Sequence, residues 1–144
     1  MLSLSRDDYG VLIARALIAA IFIYFGIMQF IEIAQYATRP GVIKFASWMA
    51  NILSPTIIAW LVAIVDLVGG LLVLVGYRTR IASIVLFAFV LLTLLLAHDF
   101  WNMEGAARAA NIAHFMKNLA IMGALILIAV HGPGRASVEA YSRA

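Results

Sequence analysis

The sequence predicts an all-α membrane protein: a four-transmembrane-helix bundle with a short interfacial helix between spans one and two. Three observations carry this. The 144 residues are 65% hydrophobic and 12% charged, with a mean hydropathy of +1.05, whereas a soluble domain is roughly 45–50% apolar. Four apolar runs, at about 11–33, 56–76, 81–98 and 111–131, are near the roughly 20 residues a helix needs to cross hydrocarbon. The few polar residues inside them recur at helical spacing and so fall on single faces. A soluble core of this size hides only about 60–70% of the surface of the unfolded chain, too little for this composition. Residues 1–144 read as a single integral membrane domain.

The first run, VLIARALIAAIFIYFGIMQFIEI, follows Asp7 and Asp8, carboxylates that suit the positive end of a helix dipole. Acids before the run and its length argue for a retained span over a cleaved leader. Arg15, Ala19, Phe22, Gly26 and Gln29 are spaced four, three, four and three, which makes theirs the bundle-facing side. TRPGV then signals a turn through Pro40 and Gly41. Next, Phe45, Trp48, Met49 and Ile52 alternate with Lys44, Ser47 and Asn51 at helical spacing, predicting an amphipathic helix over about 43–53 in the headgroup plane.

The second span centres on Asp66, close to the midplane of the run from Pro55 to Arg80. An ionised carboxylate at that depth costs several kcal/mol or more, so it should face protein or trapped water, be paired, or be protonated. Ala59, Ala63, Asp66 and Gly70 share one face, a stripe of small residues that lets another helix approach closely. Gly76 to Arg80 turns the chain into the third run, whose interior hydroxyls are Ser83 and Thr93; this run is expected to offer the broadest face to lipid. It ends in His98-Asp99. The fourth run opens with Asn111, His114, Lys117 and Asn118, becomes wholly apolar, and stops at Gly132-Pro133-Gly134-Arg135.

A net charge of +3 and a pI near 9.6 would point to nucleic acid in a soluble protein. Here the basic residues flank apolar runs and report orientation instead, and no nucleic-acid partner is expected. Arg6, Arg78, Arg80, Arg135 and Arg143, with Arg15 just inside, oppose Arg39, Lys44 and Arg108, which favours both termini in the cytoplasm. Trp48, Trp60 and Trp101 then fall toward the outer interface. The absence of cysteine excludes disulfides, thiolate-bound metals and dithiol chemistry.

Arranged by depth, the polar groups concentrate in the outer half: Gln29 and Glu32 from span one, His98 and Asp99 from span three, His114, Lys117 and Asn118 from span four, with Asp66 just below. Lys117 lies about 9 Å and Asp66 about 15 Å inside the outer ends of their spans, so a Lys117–Asp66 pair is within reach. Arg15, approaching from the inner side, is the rival partner. Two readings stand side by side. In one, these groups are structural pairs that fix the register of the bundle; in the other, they mark a ligand or proton site. His98 and His114 also admit a metal or haem, but without an HExxH motif or a third ligand interfacial hydrogen bonding accounts for them better. Gly69, Gly70 and Gly76 read as sites of close helix packing.

Taken in order, these features resemble the DoxX-like family of small bacterial four-helix membrane proteins. They are Arg15 with FGIMQF, the central acid followed by Gly69-Gly70, the Gly-x-x-Thr-Arg turn from Gly76 to Arg80, the third span ending in His98, Lys117-Asn118, and Gly132-Pro133-Gly134-Arg135. The resemblance covers nearly the whole chain. The family commonly carries lysine in the place of Gln29 and glutamate in the place of Asp66, so the polar cluster here has one positive charge fewer and a shorter acid.

The resemblance implies an inner-membrane location and links to membrane oxidoreductase assemblies, hence an accessory or quinone-handling subunit of a redox system. Asp66, Lys117 and Arg15 would hold its polar centre. Lys117, His114 and Asn118 would serve as donors to quinone carbonyls, with haem a less favoured cofactor. The alternatives are a structural partner without chemistry of its own and a small lipid-ligand binder; the lack of an inverted repeat and of proline within the hydrocarbon argues against a transporter. The expected partners are the lipid bilayer and another protein or a second copy.

Overall fold

The computed structural model describes residues 5–97 and 100–142. It is helical, with four long helices, α1 (Arg6–Ile31), α4 (Pro55–Val75), α5 (Thr79–Ala97) and α6 (Gly105–His131), each long and apolar enough to cross a membrane. Short helices α2 (Ile33–Ala37) and α3 (Pro40–Trp48) link the first two, a single 3-10 turn, Phe100–Asn102, precedes α6, and α7 (Val138–Tyr141) closes the chain.

Local chemistry sets the helix ends. Ser5 and Asp8 form a capping box: the Ser5 hydroxyl accepts from the Asp8 amide at 3.3 Å while the Asp8 carboxylate accepts from the Ser5 amide at 2.9 Å. Helix α1 therefore starts at Arg6, ahead of the apolar run. Ser54 caps α4 with Pro55 in its first turn, where a missing N–H costs nothing. Gly76, at φ +73°, ends α4, and both its amide and that of Tyr77 bond the Leu72 carbonyl. This left-handed exit suits glycine.

The most extensive seam is α1 on α4, followed by α5 on α6 and α4 on α5; α6 touches α1 only lightly. The buried face of α1 is Arg15, Ala19, Phe22, Gly26 and Gln29, and α4 buries Ala59, Ala63, Asp66 and Gly70 among others. These are the two faces that the spacing predicts. A Cβ on Gly26 would stand 2.8 Å from the Leu67 amide nitrogen, and one on Gly70 3.0 Å from the Phe22 Cβ. The small residues thus set the distance between the two helices.

Two expectations are corrected. Helix α3 ends at Trp48, not near residue 53, because Ala50 and Asn51 adopt positive φ of 52° and 56° and fold the chain back, with the Asn51 amide on the Ala46 carbonyl. Its buried face is Val42 and Ala46, packed with Ile58, while Trp48 and Ile52 are 71% and 78% exposed. Gly41 causes this, since it lets α3 close on Ala97, where a Cβ would come within 2.8 Å. The broadest outward face, moreover, belongs to α6 rather than the third span: α6 is the least buried of the four long helices and α4 the most. Ser83 and Leu86 help to turn one side of α5 fully inward.

Candidate functional site

The candidate polar residues of the spans do not form one cluster. Those of the first two spans divide into two centres at different levels of the α1–α4 seam, the fourth span stands apart from both, and Thr79 and Ser83 are buried separately on α5.

The first centre lies at the end of the bundle that carries Ser5 and the 132–142 segment. Arg15, 1% exposed, donates to the carbonyls of Leu74 (3.1 Å), Ala136 (3.0 Å) and Pro133. The Leu74 carbonyl is among the last four of α4, which have no partner within the helix, and a cation suits that end of the dipole. The other two belong to the segment after α6. That segment folds back because Gly132 and Gly134 take φ of +82° and +71°. It is then held by Ser137, whose hydroxyl donates to the Gly134 carbonyl at 2.6 Å and accepts from the Ala140 amide at 3.2 Å. The Glu139 amide bonds the Gly76 carbonyl at 3.1 Å, and the Arg135 amide bonds Asp8 at 3.2 Å. A Cβ on Gly76 would meet Ser137 Cβ at 2.5 Å and Arg15 Nη1 at 2.8 Å, so only glycine fits beneath the guanidinium.

The second centre lies deeper. Asp66, 4% exposed, accepts a hydrogen bond from Gln29 Nε2 at 2.8 Å, and both side chains are buried. Neither Lys117 nor Arg15 is its partner. Asp66 Oδ1 and Gln29 Oε1 have no hydrogen-bond partner among the described residues, a deficit that generally costs about 1–3 kcal/mol per buried group. Gln29 also lines a small cavity with Phe25, Met28, Glu32, Tyr36 and Arg39, of about 20 Å³. Arg39 stacks on the Tyr36 ring, 4.7 Å from its centroid. Burial pushes the Tyr36 phenol above its ordinary range, Asp66 adds to this and Arg39 opposes it, so the group keeps its proton at neutral pH.

The other candidates lie elsewhere. Among the buried residues of α6 the first is Met122, so the half of the helix that carries His114, Lys117 and Asn118 buries none of them; His114 and Lys117 are exposed and Asn118 is half-buried. Depth along the helix is right for Lys117, but its side of the helix is wrong. His98 and Asp99 lie outside the described residues. Among the described residues no three His, Asp or Glu side chains converge as metal ligands. Tyr36 and Arg39 belong to the second centre although the sequence reading left them in a connection. The signal was present: Gln29, Glu32, Tyr36 and Arg39 continue the three-four-three spacing beyond Ile31.

A cofactor of quinone size can be tested against this geometry. The cavity beside Gln29 has room for about one water, which needs roughly 10–15 Å³ by this measure. A quinone ring does not fit inside it.

The arrangement defines a four-helix integral membrane protein with a buried acid–amide pair in its central seam. The DoxX family model matches residues 10–99, and the chain belongs to the DoxX family. It is 30% identical to the Escherichia coli inner membrane protein YphA over 148 residues, covering 96% of this chain and 99% of that protein. It is 34% identical to the inner membrane protein YqjF of the same organism, with 92% of each chain covered. A shorter similarity, 27% identity over 81 residues, links 56% of the chain to 26% of the ER-derived vesicles protein ERV29 of Saccharomyces cerevisiae. No solved structure matches it.

Proposed function

We propose that this protein is an accessory subunit of an inner-membrane redox system, with both termini cytoplasmic and the Gln29–Asp66 pair as its proton-exchanging centre. The inner-membrane part rests on the names of the two bacterial relatives, and the redox part on the family resemblance alone. The observation that carries the site is the buried carboxyl with one unpartnered oxygen, beside a water-sized cavity lined by Glu32, Tyr36 and Arg39. A proton on Asp66 turns Oδ1 into a donor, and Gln29 Oε1 is an acceptor lacking one. One water in the cavity would connect this pair to titratable groups nearer the surface. A quinone, if handled, would meet the lipid-facing side of α1 or the donors of α6, Lys117, His114 and Asn118, and not the interior of the seam.

The test is quinol-dependent oxygen uptake in membrane vesicles from the native bacterium. Deletion of the protein is expected to lower the rate, Asp66→Asn to reproduce the drop, and Asp66→Glu to retain most of the activity. An unchanged rate on deletion would contradict the redox reading. A structural reading is favoured by one observation, that Asp66 adjoins a close backbone approach between α1 and α4, Gly26 against Leu67. It predicts that Asp66→Asn lowers bundle stability and leaves the rate unchanged once expression is matched.

A further inference from the structure

The turn between α4 and α5 forms an open groove of about 410 Å³ lined by Tyr77, Arg78, Arg80, Ile81, Glu139 and Ser142. We infer that this groove binds the phosphate of one anionic phospholipid, with the acyl chains lying along the outer face of α5. The proposal does not depend on the redox reading.

Four features support it. Arg78 and Arg80 are both exposed, and they stand at the start of a membrane-crossing helix, where a headgroup lies. Arg78 takes a positive φ of 46°, a conformation uncommon for a residue with a side chain, held between the Gly76 exit from α4 and the first turn of α5. Arg80 lies over the end of α6, where a Cβ on Gly132 would come within 3.4 Å of its Nε. The negative end of the α6 dipole is therefore beside the guanidinium and helps to hold it in place. Beyond the basic mouth, Ile81, Ile84 and Val85 are exposed at 57%, 59% and 48%, followed on the same side by Leu91 and Leu95. The groove thus passes from charge to an apolar track in the direction a phospholipid would lie.

Chemistry favours a lipid phosphate over other anions. Arginine forks match phosphate oxygens, and Tyr77 offers a ring with a polar tip at headgroup depth, while the Ser142 hydroxyl donates to the Glu139 carbonyl at 3.0 Å and fixes that wall of the groove. Glu139 stands on the wall of the groove and makes interactions of its own. It leaves one positive charge in excess, enough to select a singly charged diester over a zwitterion. Basic pockets between helices on the cytoplasmic side, where the proposed orientation puts this turn, commonly bind such headgroups.

Native mass spectrometry of the full chain, released from detergent after equilibration with equal amounts of phosphatidylglycerol and phosphatidylcholine, tests this. The protein is expected to retain one phosphatidylglycerol in clear preference. A basic residue near an anionic surface changes affinity by roughly fivefold, so Arg78→Gln with Arg80→Gln should lower retention by roughly twenty-fivefold. The matched pair Lys44→Gln with Arg108→Gln, which removes the same charge from the other end, should leave it unchanged. Glu139→Gln should raise it, which keeps the test decisive if the double variant folds poorly. Equal retention of the two lipids, or equal loss in both double variants, would overturn the site. Displacement by millimolar glycerol 3-phosphate, which has no acyl chain, would overturn the lipid assignment in favour of a free-phosphate site.

Discussion

The two buried polar centres of the α1–α4 seam solve the same problem in opposite ways. Arg15 brings a charge inside and sets its two terminal nitrogens on three backbone carbonyls, two of them from the segment that follows α6, while its buried Nε has no hydrogen-bond partner among the described residues. Gln29 and Asp66 bring an amide and an acid inside, the amide donating one hydrogen bond to the acid, and leave one oxygen on each without a partner among the described residues. The Arg15 contacts tie the 132–142 segment to α1 and α4, whereas Gln29 of the other pair lines a water-sized cavity. Architecture is the role proposed for the first centre and proton exchange the role proposed for the second.

The largest effect should come from the architectural side. Arg15→Leu leaves three carbonyls without their donor and is expected to cost about 3 kcal/mol or more, measured by unfolding in mixed micelles. Because two of those carbonyls belong to the 132–142 segment, tryptic cleavage after Arg135 should quicken as well. If stability falls while cleavage stays slow, the segment is held by Ser137 and Gly76 rather than by Arg15. At the second centre, Gln29→Leu removes the donor that Asp66 has among the described residues and should cost about 2 kcal/mol, with no change in cleavage after Arg135. Equal quickening in both variants would erase the distinction between the two centres.

Smaller effects sharpen the comparison. Gly26→Ala places a methyl against the Leu67 backbone and should cost about 1–3 kcal/mol by forcing the helices apart. It acts between the two centres, so it should add to Arg15→Leu and fall short of additivity with Gln29→Leu, as neighbours do. Ser137→Ala removes the cap of α7 and should cost about 1 kcal/mol, seen mainly as faster cleavage after Arg135.

Much of the fold was legible because apolar length and four-three spacing are direct consequences of helix geometry. Every residue read as the inner face of the first span, Arg15 through Gln29, is buried, and so is the small-residue stripe around Asp66. What was not legible is pairing. Depth along a span places Lys117 beside Asp66, but depth does not fix which way α6 turns, and that helix begins to bury side chains only at Met122. The partners of Arg15 are carbonyls, which no residue type announces, although the glycines and proline after His131 hint at a chain that turns back with unpaired backbone. The end of α3 was not legible because nothing in the residue types of Ala50 and Asn51 announces their positive φ, whereas the exposed Trp48 and Ile52 agree with the side that the amphipathic pattern turns outward.

The most direct measurement is a pair of double-mutant cycles for unfolding stability, one on Gln29→Leu with Asp66→Leu and the other on Lys117→Met with Asp66→Leu. The geometry predicts a coupling of about 1 kcal/mol or more in the first cycle and additivity to within about 0.5 kcal/mol in the second. Strong coupling between Lys117 and Asp66, with none between Gln29 and Asp66, would contradict the assignment of the central acid to its amide partner.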